Sequence, residues 1–318
     1  MKFSIITATY KRSDCIRRCL DSVVKQLDNG ADIEHVVVDD GSSDDTASIL
    51  EEYSQRYEHI KAIVFPQNRG TNAARNAAIE AASGDWCIIL DSDDYFEDHA
   101  IKTISEAMEA NRDYRYYMFA ADDMMPSYIS NPLLSKQINI LSYKDFLLGK
   151  VYGDFIHVIE SSIIKSVHFN ETIRIYELIY FLDMYKMADK MLFVNKIVTI
   201  RERNRPDGAT RESIRMNQAS VSRQLEASMC HIDKFESDII KYGGVDYLSN
   251  LYYNAMENAL LLSNYDCYKS LCSRADAHGV SSPIRFKIIN KLRIAYLYKA
   301  LVFSYLNIKY RVFKHRVK

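Results

Sequence analysis

Short apolar runs alternate with longer amphipathic stretches through the first 125 residues of the chain. Within a run the apolar residues are consecutive, whereas between runs they recur at three- and four-residue spacing. This succession predicts βαβ units, and strands that are apolar on both sides indicate a mostly parallel sheet flanked by helices. The predicted strands are residues 3–8, 35–38, 60–65, 86–90 and 116–121, and the predicted helices begin at Ser13, at Asp44 or Asp45, at Thr71 and at Glu97.

The pattern changes beyond residue 125. Residues 126–210 show no regular period, and farther on apolar positions recur at helical spacing over 214–242 and 247–274. We therefore predict an α/β domain over residues 1–210, composed of a 1–125 half and a 126–210 half, followed by a helical C-terminal region over 211–318.

Composition narrows the class of protein. The chain has 318 residues, of which 48% are hydrophobic and only five are proline, as in globular proteins. Six cysteines without a CxxC pair predict reduced thiols. The N-terminal apolar run is too short for a signal peptide, and no run of 18 apolar residues could span a membrane. We expect a cytoplasmic protein.

Charge is distributed unevenly along the chain. The net charge is −1, yet residues 283–318 contain ten Lys or Arg and no Asp or Glu, which leaves 31 basic and 42 acidic residues elsewhere. A basic amphipathic segment is typical of a membrane-surface anchor, so we predict peripheral contact with the inner face of the membrane through 284–318. Packing against the acidic body is the alternative, and nothing else indicates nucleic-acid binding. The predicted helical positions are Ile288, Leu292, Ala295, Tyr296, Lys299 and Phe303.

Polar residues follow three of the predicted strands. Ligands of parallel α/β sheets bind outside the carboxyl ends of the strands, so these segments are candidate binding residues. The second strand ends in DDGSSDDT, residues 39–46, where a turn and a helix cap would need only one of the four acids.

The stretch PQNRGTNAARNAAI, residues 66–79, places Asn68 and Gly70 just before a helix that contains Arg75. Backbone N–H groups at a helix start attract phosphate, and an Arg one turn later can reach the same anion. An ordinary loop with a surface Arg is the alternative. The chain has no GxGxxG and no GxxxxGK[ST], so dinucleotide-binding and P-loop classes are not indicated.

Three carboxylates crowd the end of the fourth strand in CIILDSDDYF, residues 87–96. Asp91, Asp93 and Asp94 repel one another, and a hard divalent cation such as Mn²⁺ or Mg²⁺ removes that penalty. Such an ion keeps coordination positions that substrate phosphates can fill. The cluster therefore suggests a metal that holds a nucleoside diphosphate, with helix capping before Glu97 as the alternative.

Four segments in this order and spacing, FSIITATYKR, VVVDDGSSDDT, NRGTNAARNAAI and ILDSDDYF, resemble the motifs of the inverting family 2 glycosyltransferases with the GT-A fold. The resemblance covers residues 1–125 well and 150–210 loosely. It implies a Rossmann-like sheet flanked by helices. It also implies metal-dependent transfer of a hexosyl or N-acetylhexosaminyl group from a nucleoside-diphosphate sugar, a UDP-sugar in the first instance, to a glycan or lipid-linked glycan.

The resemblance also implies roles for individual residues. Nucleotide-sugar contacts fall on Thr9 and Tyr10 by the base, on Asp39 or Asp40 as the base-reading acid, on Arg75 by the base or diphosphate, and on Asn68, Gly70, Asp91, Ser92 and Asp93. Asp91 and Asp93 form the DxD motif, and Asp93 and Asp94 would share ribose and metal contacts. The loop RERNRPDGAT, residues 201–210, resembles the basic loop that closes over the diphosphate, with Arg203 as its contact residue; a solvated surface loop is the alternative.

The catalytic base is the least regular part of the resemblance. The family places an acidic pair after an F-(D/N)-E stretch, which Phe169-Asn170-Glu171 matches here. Tyr176-Glu177 stands where that pair is expected, so Glu177 is the predicted base that takes the acceptor proton, with Asp183 as the second choice. This departure keeps a non-catalytic nucleotide-sugar-binding or scaffold protein as an alternative. A sugar-phosphate nucleotidyltransferase is a weaker one, since its Gly-rich start is missing from residues 5–15.

Overall fold

The computed structural model describes residues 1–28, 30–173, 176–202 and 217–316, with side chains to residue 306. The chain divides into two compact units, residues 1–204 and 205–318. The first unit is an α/β sheet structure, and the described part of the second is helical.

The first unit contains a nine-stranded sheet in the order β3-β2-β1-β4-β8-β6-β9-β5, with β7 also paired to β9. The strands are β1 (Phe3–Thr9), β2 (Ile33–Asp39), β3 (Ile60–Val64), β4 (Trp86–Ile89), β5 (Tyr95–Phe96), β6 (Tyr116–Ala121), β7 (Ile138–Ser142), β8 (Ile156–Glu160) and β9 (Lys190–Ile200). The helices are α1 (Ile16–Leu27), α2 (Thr46–Arg56), α3 (Thr71–Ala81), α4 (Ala100–Ala110), α5 (Met125–Ser130), α6 (Tyr143–Leu147), α7 (Ser161–Ile164) and α8 (Leu178–Ala188).

Strands β1 to β4 are all parallel, as their unbroken apolar runs and intervening helices predict. The register sets Thr9 opposite Asp39, and the Leu90 amide just past β4 donates to the Ile6 carbonyl at 3.0 Å. The carboxyl ends of β1, β2 and β4 therefore share one edge of the sheet. Beyond β4 the sheet is mixed, because β8 runs antiparallel to both β4 and β6 whereas β9 is parallel to β6.

The core of this unit lies on both sides of the parallel strands. On one face, Ile5 and Val37 are fully buried and belong to one cluster with Leu20 of α1, Leu50 of α2 and Ile104 of α4, and on the other face Ile6 and Val38 are fully buried as well. Strands covered in this way cannot alternate polar and apolar residues, which is why the periodicity identifies them as parallel.

The predicted start of α1 at Ser13 is wrong. The helix begins at Ile16 because the chain first makes a tight turn, in which the amides of Cys15 and Ile16 both donate to the Arg12 carbonyl at 3.0 and 2.8 Å. Ser13 instead donates its amide to Asp44 at 3.2 Å, which ties this turn to the segment that follows β2.

The second unit is a succession of helices. They are α9 (Gln218–Lys241), α10 (Val245–Leu261), α11 (Tyr265–Asp276), α12 (Ile284–Leu292) and α13 (Ala295–Arg316). The helical periodicity over 247–274 is divided between two helices, because Ser263 adopts φ 56° and the Asn264 side chain caps a new helix by accepting the Cys267 amide at 3.0 Å.

The C-terminal periodicity is likewise broken. Arg293 adopts φ 56° between α12 and α13, so the predicted residues of the segment belong to two helices, and Ala295 is fully buried. In the part of the chain that the structure describes, no helix combines the length and apolar character that crossing a membrane requires.

Candidate active site

The acids that follow β2 build a loop. Asp40 is buried, and its two carboxylate oxygens accept the amides of Arg69 and Gly70 at 2.6 and 2.8 Å. Its own amide donates to the Thr9 carbonyl at 2.8 Å. Asp40 therefore fixes the loop before α3 against the ends of β1 and β2.

Gly41 allows the loop before α3 to lie close to the turn that follows β2. Its φ is +70°, and a Cβ atom there would lie 2.5 Å from the Gln67 carbonyl carbon. Beside it, Asp39 accepts the Ser42 amide at 3.1 Å and the Ser42 hydroxyl, while burial raises the pKa of Asp39.

Asp44 is the third loop-building acid. It accepts the Thr46 hydroxyl at 2.6 Å and the Ser13 amide at 3.2 Å, and these hydrogen bonds outweigh desolvation and hold the pKa of Asp44 at about 2. The sequence predicted either Asp44 or Asp45 as the cap of α2. Asp45 occupies the N-cap position, whereas the side-chain oxygen that accepts from Thr46 belongs to Asp44.

Thr9 and Tyr10 lie at the end of β1, and Asn68 lies in the loop before α3. The Thr9 hydroxyl is buried and has no hydrogen-bond partner among the described residues, whereas Tyr10 and Asn68 are exposed at the surface. A buried hydroxyl of this kind is suited to a ligand hydrogen bond, because an unpaired polar atom is costly.

Helix α3 holds the segment that leads to α8. The Asn76 amide group and the Phe169 backbone exchange two hydrogen bonds, at 2.8 and 2.9 Å. The Asn72 side chain donates to the carbonyls of Asn170 and Ile173 at 2.8 and 2.9 Å. Sequence reasoning missed both asparagines, although two amides four residues apart share one helix face and could have indicated a docking surface.

Arg75, between the two asparagines, joins two predicted site residues. Its guanidinium is buried, forms an ion pair with Glu177, and donates to Asp91 at 3.0 Å. Glu177 precedes α8 at its N-cap position. Three residues that are distant in sequence are thereby brought together at the carboxyl edge of β4.

The acidic cluster after β4 is only partly neutralised. Asp94 is buried, accepts the Glu202 amide at 3.1 Å, and lies 3.6 Å from the Arg201 guanidinium. Burial, followed by the charges of Asp91 and Asp93, raises the pKa of Asp94 to about 8. The cluster is therefore a place where further positive charge is favourable.

Arg201 is shared among acids from three segments. It lies 2.8 Å from Asp154 and 3.7 Å from Asp123, and its amide donates to Asp122 at 3.0 Å. The sequence indicated Arg201 as a basic-loop residue, but its carboxylate partners other than Asp94 lie in segments without a readable motif.

His157 is a buried neighbour of this network that the sequence did not indicate. It accepts or donates a hydrogen bond at 3.0 Å with the Tyr116 hydroxyl and stacks on Phe181 of α8 with ring centroids 4.2 Å apart. Burial, followed by the charge of Arg75, lowers the pKa of His157 to about 3, so the imidazole is neutral and serves as packing.

The chemistry of Asp91, Asp93 and Asp94 fits a hard divalent ion. Their carboxylate oxygens are the donors that Mg²⁺ and Mn²⁺ prefer. In the described ranges no group of three or more His, Cys, Asp and Glu side chains is assembled into a metal cage. The residues thus fit an ion held by one or two carboxylates and completed by substrate phosphate oxygens, a common arrangement for Mg²⁺.

The remaining predicted residues are less closely connected. Ser92 is buried, and its carbonyl lies 3.8 Å from the Cys15 thiol. Asp183 is half-buried in the middle of α8, six residues beyond Glu177. Arg203 lies outside the described residues, as do Arg205, Gly208 and Arg211 of the predicted basic loop.

Comparison with known proteins identifies the family of the N-terminal part of the chain. Residues 4–157 match the model described as glycosyl transferase family 2. A relative from Campylobacter jejuni, GalNAc(5)-diNAcBac-PP-undecaprenol beta-1,3-glucosyltransferase, is 29% identical over 214 residues, which are 66% of this chain and 67% of the relative. Residues 4–157 are a family 2 glycosyltransferase domain. The resemblance inferred from the four ordered motifs is confirmed.

A second relative matches a shorter part of this chain. Poly(ribitol-phosphate) beta-glucosyltransferase of Bacillus spizizenii is 40% identical over 102 residues, which are 32% of this chain and 16% of that protein. The similarity to it therefore covers about a third of this chain and a small part of that protein.

Solved structures agree on the fold. The structure of S. aureus TarS 1-349 in complex with UDP-GlcNAc superposes with a TM-score of 0.64 at 16% identity, covering 98% of this chain and 92% of that one. The mannosyltransferase PcManGT from Pyrobaculum calidifontis, in complex with GDP-Man and Mn²⁺, gives 0.55 at 15% identity over 96% and 84%. The chain therefore has the predicted GT-A fold with a helical C-terminal region.

Proposed function

We propose that this chain transfers a sugar, with inversion, from a nucleoside-diphosphate sugar to a hydroxyl of a growing glycan. The observation that carries the proposal is the cluster of Asp91, Asp93 and Asp94 at the carboxyl end of β4, next to the cations Arg75 and Arg201. The family 2 match covers this acidic cluster, which lies beside two guanidinium groups. UDP is the first base to test, because TarS, a structural neighbour, was solved with UDP-GlcNAc.

Each group has a proposed part in the reaction. Thr9 and Tyr10 receive the base beside the loop that Asp40 holds, and Asp39, Asn68 and Gly70 shape the same pocket.

The charged groups act on the diphosphate and the acceptor. Asp93 and Asp94 hold Mn²⁺ or Mg²⁺, and the bound ion supplies Lewis-acid neutralisation of the leaving diphosphate. Ser92 and Arg203 complete the donor contacts, and Arg201 keeps Asp94 partly neutralised before donor binding.

Glu177 is the proposed base that accepts the acceptor proton, and Arg75 orients it. One of its carboxylate oxygens is paired with Arg75, which also binds Asp91, so the carboxylate has a fixed position beside the donor site. Asp183 is the second choice.

We propose a glycan or lipid-linked glycan as the acceptor, in the synthesis of a cell-surface polysaccharide, with peripheral contact at the inner face of the membrane. The names of the relatives support this: one acts on an undecaprenol-linked saccharide and the other on poly(ribitol-phosphate). The C-terminal basic segment supports the membrane contact.

Thermal unfolding of the protein with UDP-, GDP-, dTDP- and CDP-sugars, with and without Mn²⁺, tests the donor assignment. A ligand that binds only the folded state stabilises it in proportion to the logarithm of its concentration over Kd, so the preferred base gives the largest shift. We expect a UDP-sugar shift that grows with Mn²⁺. The absence of a shift with every nucleotide sugar would contradict the proposal, and a shift without turnover on any glycan would indicate a non-catalytic binder.

A further inference from the structure

Helix α12 carries an exposed apolar row. Ile284, Ile288 and Leu292 follow one another at four-residue spacing, and they are 76%, 49% and 59% exposed. On the opposite side of the helix, Phe286 and Ile289 are buried. The packed face and the exposed apolar face are therefore different, and the exposed row is not an edge of the core.

Basic residues border this row. Lys287 and Lys291 are exposed and lie on α12 beside the apolar row, because positions three residues after Ile284 and Ile288 occupy the adjacent strip of the helix. A row of large apolar side chains beside a row of ammonium groups is the arrangement of a helix that lies in the plane of a membrane surface.

Helix α13 presents a second exposed face. Leu297, Leu301 and Tyr305 again follow four-residue spacing and are among the most exposed apolar side chains, with Leu301 at 70%. Its inner side is anchored, since the Tyr298 hydroxyl donates to Glu257 of α10 and the Ala295 amide donates to the Tyr265 hydroxyl at 3.3 Å.

Charge selects the occupant of these faces. Residues 283–318 contain ten Lys or Arg and no Asp or Glu, so a second copy docked through the same faces would bring like charges together, whereas anionic lipid headgroups complement them. An apolar groove in another protein would leave the lysines without a role.

We propose that α12 and α13 together form a membrane-docking surface, made of Ile284, Ile288, Leu292, Leu297, Leu301 and Tyr305 with Lys287 and Lys291, which binds anionic bilayers in the interfacial plane. The inference deepens the membrane contact proposed above by assigning it to these side chains and to anionic lipid. No donor or acceptor is needed to test it, so a protein that binds vesicles but transfers no sugar supports this surface and contradicts only the proposed reaction.

The experiment is co-sedimentation of the full chain with sucrose-loaded vesicles, either of phosphatidylcholine alone or of three parts phosphatidylcholine to one part phosphatidylglycerol. We expect binding to the anionic vesicles only. The Leu297→Gln/Leu301→Gln variant removes two inserted side chains, and each should weaken partitioning about tenfold. The Lys287→Gln/Lys291→Gln variant should weaken it about fivefold for each lysine and make the remaining binding less sensitive to salt.

Matched controls come from the first unit. Ile138→Gln/Ile140→Gln changes two exposed apolar residues of β7, and Lys102→Gln/Lys136→Gln changes two exposed lysines. Both controls should bind like wild type, and far-UV circular dichroism should show that all four variants are folded. Equal binding of α12–α13 variants and controls would overturn the proposal. So would a wild-type protein that ignores anionic vesicles, or that forms a dimer which Leu297→Gln/Leu301→Gln dissolves while vesicle binding is unaffected.

Discussion

The ends of β2 and β4 carry similar sets of aspartates, yet the two sets do different things. After β2, Asp40 and Asp44 accept backbone amides and hydroxyls, and the pKa of Asp44 falls to about 2. After β4, Asp91 and Asp94 face guanidinium groups, and the pKa of Asp94 rises to about 8. The first set is held by backbone amides and hydroxyls of the fold, whereas the second set combines guanidinium partners with carboxylates that repel one another.

This difference separates aspartates that stabilise a loop from aspartates that could bind a ligand. A carboxylate that accepts two or three hydrogen bonds from its own chain shapes a loop, and replacing it changes stability first. A carboxylate crowded by other carboxylates favours a cation, and replacing it changes binding and catalysis first. The predictions below test that separation.

The largest effect is expected from Asp93→Asn and Asp94→Asn. Each removes a proposed metal ligand, so sugar transfer should fall about 10³-fold, since the metal contributes several kcal/mol of charge stabilisation. Initial rates with the preferred UDP-sugar at saturating Mn²⁺ measure this. Asp44→Asn is the matched control and should retain most of the rate; equal losses in all three variants would contradict the separation.

Glu177→Gln should reduce kcat about 10²-fold, within the range for loss of a general base, and leave donor Kd nearly unchanged. Glu177→Asp should recover part of the rate because the carboxylate is kept. Asp183→Asn, six residues on, should behave like wild type. If Asp183→Asn loses the rate and Glu177→Gln keeps it, the base assignment moves to Asp183.

Asp40→Asn should lower the stability of the fold more than it lowers kcat. The carboxylate accepts two backbone amides in a buried position, and an amide side chain can accept only one of them well, so we expect a loss of about 2–3 kcal/mol in the free energy of unfolding. Urea denaturation measures it. Donor KM should rise because the loop before α3 loosens, while kcat at saturation stays within a few-fold.

Gly41→Ala tests the close approach of the same loop. The added Cβ would lie 2.5 Å from the Gln67 carbonyl carbon at a φ of +70°, so unfolding should become easier by about 1–3 kcal/mol. Gly30→Ala is the control: its φ is +75°, but nothing lies within 4 Å of the added atom. Equal losses in both would mean that backbone strain, and not loop contact, is responsible.

The smallest effect concerns acid stability. Hydrogen bonds from Lys61, Ser4 and Ser83 outweigh burial and hold the pKa of Glu34 at about 2, below its ordinary value of 4.5. A depressed carboxylate pKa contributes stability above the unfolded-state value and loses it as pH falls toward the folded-state value. Stability should therefore decline between pH 4.5 and pH 2, and Glu34→Gln should make that decline shallower in urea titrations at each pH.

The sequence predicts the parallel half of the sheet well, because β1 to β4 have unbroken apolar runs and helices between them. It also locates the acids after β4, since like charges at the end of a buried strand need an external cause. The role of the acids after β2 in stabilising the loop was not predictable. It depends on the Arg69 and Gly70 amides, which lie near Asp40 only in the folded chain. The helix breaks at Ser263 and Arg293 were not predicted, because neither residue is a Gly or Pro.

The pairing of Arg75 with Glu177 could not be foreseen either. The residues are 102 positions apart, and the contact depends on Asn72 and Asn76 docking the segment before α8 onto α3. Sequence reasoning assigned Arg75 to the nucleotide, and the structure adds that its guanidinium is bound by two carboxylates.

Binding of Mn²⁺ in the presence of UDP, followed by the loss of the free-ion electron paramagnetic resonance signal, tests whether Asp93 and Asp94 are the metal ligands. We predict that wild type and Asp44→Asn bind the ion with similar affinity and that Asp93→Asn and Asp94→Asn bind it at least tenfold more weakly. Weakened binding in Asp44→Asn together with wild-type binding in Asp93→Asn and Asp94→Asn would contradict it.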